Sequence, residues 1–419
     1  MKYTKTLIAS CLVAGSTLAV AEIEWLDRQT SDLRTEHLSG DTAAVPASIH
    51  QESAPIQFSW SRDQALAGRM PAGDPSASAA APVAESKQYW LDVTGRDLAR
   101  GVDLPLTASG AVIRISALDS GTDLQLQPEQ LKLEFNGRPV QARFGPDNVS
   151  RGRDLQREGM PVPEDTLAFR LSDRIGAGNL RVAHTDLQAD MPLVINVHEP
   201  ESPWTAKLSL PRFNFLAGEK MDFDFNLGDG RENINVRSIQ AVVASPDASQ
   251  TWPITRGRGN QLQVDAAPLA RMDRPAPGLY EAHVYAETRH RGQTIRRDLT
   301  LAFSIAPPIA RLNEQAARGQ SSGQGVELIL GVETAVAGRY QVNAEVLGTN
   351  AHGELEPFAF MQSAAELDAG EGQIELSLDP DVIRSSGLSA PFEVRNLQLL
   401  DQGRMYLLEQ RAHGLRIFD

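Results

Sequence analysis

Asp222 and Asp224 are the residues of this chain whose type and spacing come nearest to chemistry. Lys220 to Leu227 (KMDFDFNL) alternates strictly. Met221, Phe223, Phe225 and Leu227 therefore belong to one face of a strand, and Asp222, Asp224 and Asn226 to the other. Two positions apart on a strand, the aspartates stand ~6.6 Å apart at Cα, near the carboxyl separation of glycoside hydrolases. No aromatic residue beside them offers a platform for a sugar, and the outer face of any half-buried strand is polar, so acid–base catalysis is not expected. Together with the Asp229-Gly230 turn, the same strand gives the best metal candidate. Asp222, Asp224, Asn226 and Asp229 offer the clustered hard oxygens that Ca2+ takes. The run departs from an EF-hand loop in having Leu227 where glycine would make the sharp turn. No other cofactor is expected.

The remaining chemical spellings are weaker. Gly319-Gln320-Ser321-Ser322-Gly323 has the letters of a nucleophile elbow, but that motif needs a strand before it and a helix after it. Here polar residues precede and a strand-like run follows, which is the composition of a linker. The eight histidines are scattered and none has the H-E-x-x-H spacing of a zinc hydrolase. His283 and His290 are expected to approach across a hairpin, with no third ligand in view. Arg289, Arg291, Arg296 and Arg297 make a basic hairpin on an acidic chain. They read as charges that guard a sheet edge, with a contact to an anion such as a lipid phosphate or acidic polysaccharide as the alternative. No glycine-rich phosphate loop is present.

These residues sit in a chain built for export. Lys2 and Lys5, the apolar run Leu7 to Ala19, and Ala19-Val20-Ala21 before Glu22 have the order of a cleavable signal peptide. Cys11 is the one cysteine of 419 residues and lies inside that leader. The mature chain is thus expected to have no disulfide, no thiolate metal ligand and no cysteine nucleophile. Ile8-Ala9-Ser10-Cys11 has the residue types of a lipoprotein signal. Cleavage there leaves only about five apolar residues, short of the ~7–15 of an h-region, so lipidation is disfavoured. No later run approaches the ~20 apolar residues of a membrane span. The 40 basic residues less Lys2 and Lys5 leave 38 against 54 acidic ones, a net −16 for the mature chain. Such a surface repels phosphate backbones and excludes a nucleic-acid partner.

The elements that must position any site are short and alternating. Glu22 to about Met70 is polar and weakly patterned, with Trp25, Phe58 and Trp60 as isolated anchors and a short helix over Ser61 to Ala67. Pro71 to Ser86 is rich in Ala, Pro and Ser and reads as a mobile linker. From Gln88 onward, strands are predicted at 111–116, 131–135, 193–197, 205–210, 220–227, 280–286, 299–305, 326–332, 340–347, 373–378 and 392–400. Asn136-Gly137 signals a hairpin. The run His198-Glu199-Pro200-Glu201-Ser202-Pro203 reads as an interdomain joint, because its prolines favour extended connections. Pro277-Gly278-Leu279-Tyr280 opening a penultimate strand is similar to the tyrosine corner of an immunoglobulin-like sandwich. Asp379, Pro380 and Gly387 predict a capped helix between the last two strands.

Four stretches carry a family resemblance: GVDLPLTASGAVIRIS (Gly101–Ser116), AFSIAPPIARL (Ala302–Leu312), GRYQVNAEVLGTNAHGELEPFAFMQSAAELDAG (Gly338–Gly370) and SGLSAPFEVRNLQLLDQGRMYLLEQRA (Ser386–Ala412). With them the chain resembles the bacterial exported family called domain of unknown function 4785. The resemblance implies an exported bacterial protein of three successive β-rich domains, the later ones immunoglobulin-like. It supplies no catalytic residues.

The sequence thus predicts an all-β chain of three tandem β-rich, immunoglobulin-like sandwich domains behind a signal peptide and a flexible N-terminal segment. The expected limits are 1–21 for the signal peptide, 22–86 for the weakly structured segment and linker, then 87–199, 200–308 and 309–419 for the domains. The expected function is non-enzymatic binding or spacing in the envelope or the medium, periplasmic or secreted, with an unidentified protein or glycan partner. The alternative is a secreted hydrolase, or its accessory module, acting on polysaccharide or peptide.

Overall fold

The computed structural model describes residues 23–40, 45, 54–62, 81–118, 126–140, 146–160, 162–185, 187–265, 278–319 and 325–418. The leader with Cys11, most of the Ser61 to Ala67 run, residues 71–80 and Gln320 to Gly323 lie outside them. Among the described residues, strands organise into six sheets with three short α-helices and one 3-10 helix between strands. The protein is all-β and multidomain. It divides into two compact units, one taking residues 1–40, 48–75 and 309–419, the other residues 41–47 and 76–308.

The second unit holds two sandwiches. In the first, one sheet runs in the order Gln88–Thr94, Pro192–His198, Val112–Ala117, Leu167–Leu171, Pro146–Arg151. The other runs Val102–Leu106, Gly178–His184, Leu131–Phe135, Arg138–Pro139. Their facing rows, among them Tyr89, Leu104, Ile113, Ile115, Phe169, Leu180 and Ile195, form one core. Asn136 and Gly137 have φ of 51° and 75°, the left-handed pair that a two-residue hairpin matching the strand twist requires.

The second sandwich sets Thr255–Arg256, Gln261–Asp265, Lys220–Gly228, Thr205–Ser209 and Val83–Ser86 against Asn214–Leu216, Gln293–Ala306, Tyr280–His290, Ser238–Ala244 and Thr251–Pro253. Met221, Phe223, Phe225 and Leu227 point inward as the alternation predicts. Val83–Ser86 corrects the linker reading at its described end, since this segment pairs antiparallel with Thr205–Ser209. Four residues were too few to raise a periodic signal above the surrounding alanines and prolines.

Arg297 corrects the reading of the basic hairpin. It is fully buried, on the same face as Ile295, Leu299 and Leu301, and its ion pair with Glu199 is closed at 2.9 Å with both side chains fully buried. Its five N–H donors all find acceptors. Nε donates to the Trp204 carbonyl, Nη1 to Glu199 and the Arg296 carbonyl, and Nη2 to the hydroxyls of Ser202 and Thr107. Glu199 in turn accepts from the Thr107 backbone amide. Residues of the first sandwich, of the joint and of the second sandwich thus meet in one satisfied polar node. Two of the other hairpin arginines are also paired, Arg291 with Glu232 and Arg296 with Glu287, each at 2.8 Å, while Arg289 is exposed.

The first unit packs a six-stranded sheet on a three-stranded one. The larger runs Ile23–Trp25, Tyr406–Ile417, Ser389–Asp401, Gly338–Thr349, Leu355–Leu367, Ile56–Ser61, and the smaller Ala310–Arg318, Val326–Thr334, Gly370–Leu378. Tyr340, Val342, Ala344 and Val346 fill the core from one side, Leu328, Leu330, Val332, Ile374 and Leu376 from the other. Here the weakly structured N-terminal segment is corrected in part, because its short strands close both edges of the larger sheet. The predicted helix is present at Pro380–Ser386, with Asp379 accepting from the Asp381 amide and Gly387 left-handed at φ 69°.

Removing one partner of a buried, fully bonded pair strands the other charge in the protein. Arg297→Ala is expected to lower the stability of the second unit by about 3–5 kcal/mol, and Glu199→Gln with Arg297→Met together by much less. Urea unfolding of the three proteins checks this, and equal losses in the single and double variants would refute it. Asp298, beside Arg297 on its strand, tests the same packing by pH. Burial pushes its carboxyl up to about 6, helped by Asp92 and opposed by His283 and the Trp90 amide. A raised carboxyl pKa means that the folded state holds a proton the unfolded chain has lost. Stability therefore rises as pH falls from above 6 toward 4. Asp298→Asn should remove that slope and be the more stable protein at pH 7.5, as read from thermal midpoints across the range.

Candidate functional site

The outer face of the six-stranded sheet collects residue types that an ordinary solvent face does not. Pairing in the sheet fixes which side chains are neighbours. Phe58 is opposite Gln362 and Trp60 opposite Phe360. Gln362 is opposite Asn343 and Phe360 opposite Glu345. Asn343 is opposite Gln398 and Glu345 opposite Arg395. Gln398 is opposite Gln410 and Arg395 opposite His413. Two parallel rows result, running across five strands: Phe58, Gln362, Asn343, Gln398, Gln410, and beside it Trp60, Phe360, Glu345, Arg395, His413. The intervening residues of the edge strand face the smaller sheet. Gln57 donates to the Glu375 carbonyl and Ser59 accepts from the Asp379 amide, which places Phe58 and Trp60 on the opposite side.

Aromatic and amide groups along these rows are half-buried or exposed. Phe58 is 48% exposed, and its ring lies 5.5 Å from that of Trp60 with only 20° between their planes. Gln341 donates to the Asn343 side-chain oxygen at 2.7 Å, which fixes one amide against its neighbour.

Past the second row Glu393 is buried and serves as a charge anchor. Arg395 donates to it at 2.7 Å, and His413 and Arg416 stand 3.3 Å away. Burial pulls its carboxyl upward, but the hydrogen bond and charge of Arg395 with the hydrogen bonds of His413 and Arg416 outweigh burial and hold it below the usual glutamate range. Asn396, with φ 47°, sits at the register shift that brings Arg395 opposite Glu345. Arg395 and Glu393, two positions apart on the strand, share a face, which lets them pair.

The residues singled out from the sequence lie elsewhere, in the second unit. Asp222 and Asp224 are exposed on the outer face of Lys220–Gly228, opposite Gln263 and Gln261, and Asn226 is opposite Lys207. Asp229 accepts from the amides of Arg231 and Glu232, and those backbone bonds lower its pKa. Its carboxylate is thereby turned to its own loop. Among the described residues no three His, Cys, Asp or Glu side chains stand close enough to hold a metal ion.

His283 and His290 do not meet across the hairpin. Both lie on Tyr280–His290, seven positions apart, or ~23 Å at ~3.3 Å per residue. His283 contacts Thr300 and Glu281, and His290 contacts Glu232. The hairpin itself turns at Arg291 and Gly292, both with positive φ. The outer face of the first unit was missed because its rows are assembled from segments some 300 positions apart. Its one local signal was the alternation of Gln341, Asn343 and Glu345 with Tyr340, Val342 and Ala344.

The fold is that of a multidomain β-sandwich protein, and among the described residues no group of three His, Cys, Asp or Glu could hold a metal ion. Residues 47–199 match the N-terminal domain, and residues 309–417 the C-terminal domain, of the family described as Domain of unknown function (DUF4785). The chain belongs to that family. The crystal structure of a DUF4785 family protein from Legionella pneumophila is similar over 93% of this chain and 98% of that one, with a TM-score of 0.68 at 18% identity, and it shares the fold. Trypsin-activated alpha-2-macroglobulin from Escherichia coli aligns over 73% of this chain and 22% of that one at 13% identity, with a TM-score of 0.20. The chicken CNTN1 FN1-FN3 domains align over 79% and 94% at 9% identity, with a TM-score of 0.19. Neither of these two bears on the fold or the site. No curated protein matches the chain.

Glu393 links this face to pH. A depressed carboxyl pKa stabilises the fold above the unfolded value, and that contribution is lost as pH falls through the lower folded value. Glu393→Gln should cost about 1.5–3 kcal/mol at pH 7, the range for hydrogen bonds to charged groups. The gap to the parent protein should close below pH 4. Thermal midpoints from pH 3 to 8 check both, and a gap independent of pH would refute the role.

Proposed function

We propose that this protein is an exported, non-enzymatic binding protein of the bacterial envelope or the extracellular medium, and that the outer face of the six-stranded sheet is its contact surface. The observation that carries the reading is the double row from Phe58 and Trp60 to Gln410 and His413. A face that only kept the sheet soluble would carry lysines and glutamates with long mobile stems. This one carries aromatics, which present a large rigid surface with few rotatable bonds, and side-chain amides, which both donate and accept. Export rests on the leader-like residues 1–21 and on the absence of any cysteine after Cys11. Among the described residues no helix is long and apolar enough to cross a membrane. The non-catalytic reading rests on the carboxylates themselves: Asp222 and Asp224 face solvent, and Glu393 is neutralised by its arginines.

The test is fractionation of cells and medium expressing the full chain with a C-terminal tag, followed by capture on the tag. The expected result is recovery outside the cytoplasm, with a bound partner that is lost when Phe58 and Trp60 are replaced by alanine. Recovery of the unprocessed chain in the cytoplasm would overturn export. Steady turnover in a glycan or peptide substrate screen, abolished by Asp222→Asn with Asp224→Asn, would overturn the non-enzymatic reading.

A further inference from the structure

Three features of the outer face specify its ligand more closely. The first is chemical symmetry. Gln362, Asn343, Gln398 and Gln410 stand in one row on four successive strands, and every side-chain amide carries both donors and an acceptor. A partner that matches such a row must itself donate and accept at each position, and hydroxyl groups do that. Carboxylates and phosphates only accept, and ammonium groups only donate.

The second feature is the aromatic end. Phe58 and Trp60 stack on each other at the sheet edge, leaving the outward face of the pair free, and Phe360 is opposite Trp60. Aromatic faces carry negative charge density and attract weakly positive hydrogens laid flat against them. A pyranose ring offers just that combination, C–H groups on its faces and hydroxyls around its rim.

The third is charge. Among the described residues the carboxylates in or beside the two rows are Glu345, Glu393 and, opposite Arg416, Glu24, and Arg395, Arg416 and His413 stand beside Glu393. The three carboxylates outnumber the two arginines, and Arg395 and Arg416 are already turned to Glu393. No cation is left to attract an anionic ligand, and a surface built for a protein would centre on an apolar core. From Phe58 to Gln410 the row crosses five strands, ~19 Å at a spacing of ~4.8 Å. That length suits a chain of sugars lying across the strands.

We infer that the outer face of the six-stranded sheet binds a neutral polysaccharide chain, with Phe58 and Trp60 as the stacking platform and Gln362, Asn343, Gln398 and Gln410 as the hydrogen-bonding row. This rests on the binding reading above and names its ligand class.

The experiment is native affinity electrophoresis of the purified protein in gels containing soluble β-glucan, α-glucan, mannan or xylan, with alginate as the acidic comparison, followed by titration calorimetry on the best binder. Retardation by at least one neutral polymer is expected. Trp60→Ala and Phe58→Ala should weaken it at least about tenfold, or about 1.4 kcal/mol, and Trp60→Tyr should keep most of it. Gln398→Ala should weaken binding with the platform intact, which separates the row from the aromatics. Each variant is first shown to unfold at the parent's urea midpoint. Should Trp60→Ala unfold early, Gln398→Ala and Phe58→Ala decide the matter.

Retardation by alginate alone, or undiminished binding in the variants, overturns the inference. So does failure to bind any polymer. In that last case, capture of a protein partner that Phe58→Ala and Trp60→Ala abolish would leave the binding reading standing with a different ligand. Capture of nothing would remove both.

Discussion

Arg297 and Glu199 form the pair on which the second unit turns. A guanidinium and a carboxylate have been taken wholly out of water, at a desolvation cost that the attraction between them does not by itself offset. What makes the arrangement tenable is completeness. All five arginine donors are used, and the glutamate also holds the Thr107 amide and hydroxyl. Satisfying the node requires the loop at Thr107, the joint from Glu199 to Trp204 and the strand at Arg297 to hold fixed positions together. The proline-containing joint between the two sandwiches is thereby pinned at both ends. The two sandwiches of this unit form one body because a charge buried between them tolerates no slack.

The first unit works by a different constraint. Its larger sheet has one face committed to the core, so its other face is free to carry whatever the side-chain alternation places there. Strand pairing then does what no local sequence feature can. It sets Phe58 beside Gln362 and Asn343, and Trp60 beside Phe360 and Glu345, from three separate parts of the chain. Glu393 anchors the far end by drawing Arg395, His413 and Arg416 to one buried point. The backbone ladder below fixes where each side chain of the face starts.

Much of this was legible in the sequence, and the parts that were not share a cause. Alternation located eleven strands, Val112–Ala117 and Ser389–Asp401 among them, but missed Leu167–Leu171, Gly178–His184, Ser238–Ala244 and Leu355–Leu367 among others, and Asn136-Gly137 and Asp379-Pro380 marked a turn and a helix by their own backbone preferences. Even Arg297 had a readable sign, since it falls on the inward beat of Ile295, Leu299 and Leu301. Position in that rhythm outweighs residue type, and counting it as one of four hairpin arginines hid it. By contrast, Ile23–Trp25 and Val83–Ser86 are too short to show a period and gain their structure from an edge already formed elsewhere. Asp222 and Asp224 were prominent because two carboxylates in a row look like chemistry, whereas the outer-face rows exist only once register is known.

The two N-terminal edge strands have a consequence for the order of assembly. Ile56–Ser61 pairs with Leu355–Leu367, and Ile23–Trp25 with Tyr406–Ile417, so each waits for a partner made some 300 or more residues later. At a synthesis rate of roughly 5–20 residues per second, Ile56–Ser61 is finished roughly 15–60 s before its partner exists. The intervening sandwiches can complete themselves in that interval, and the unit containing the earliest-made strands is the last to close. Throughout the delay a nascent segment bearing Ile56, Phe58 and Trp60 stands unpaired, and a holding chaperone or immediate translocation in the unfolded state would keep it from sticking to its neighbours.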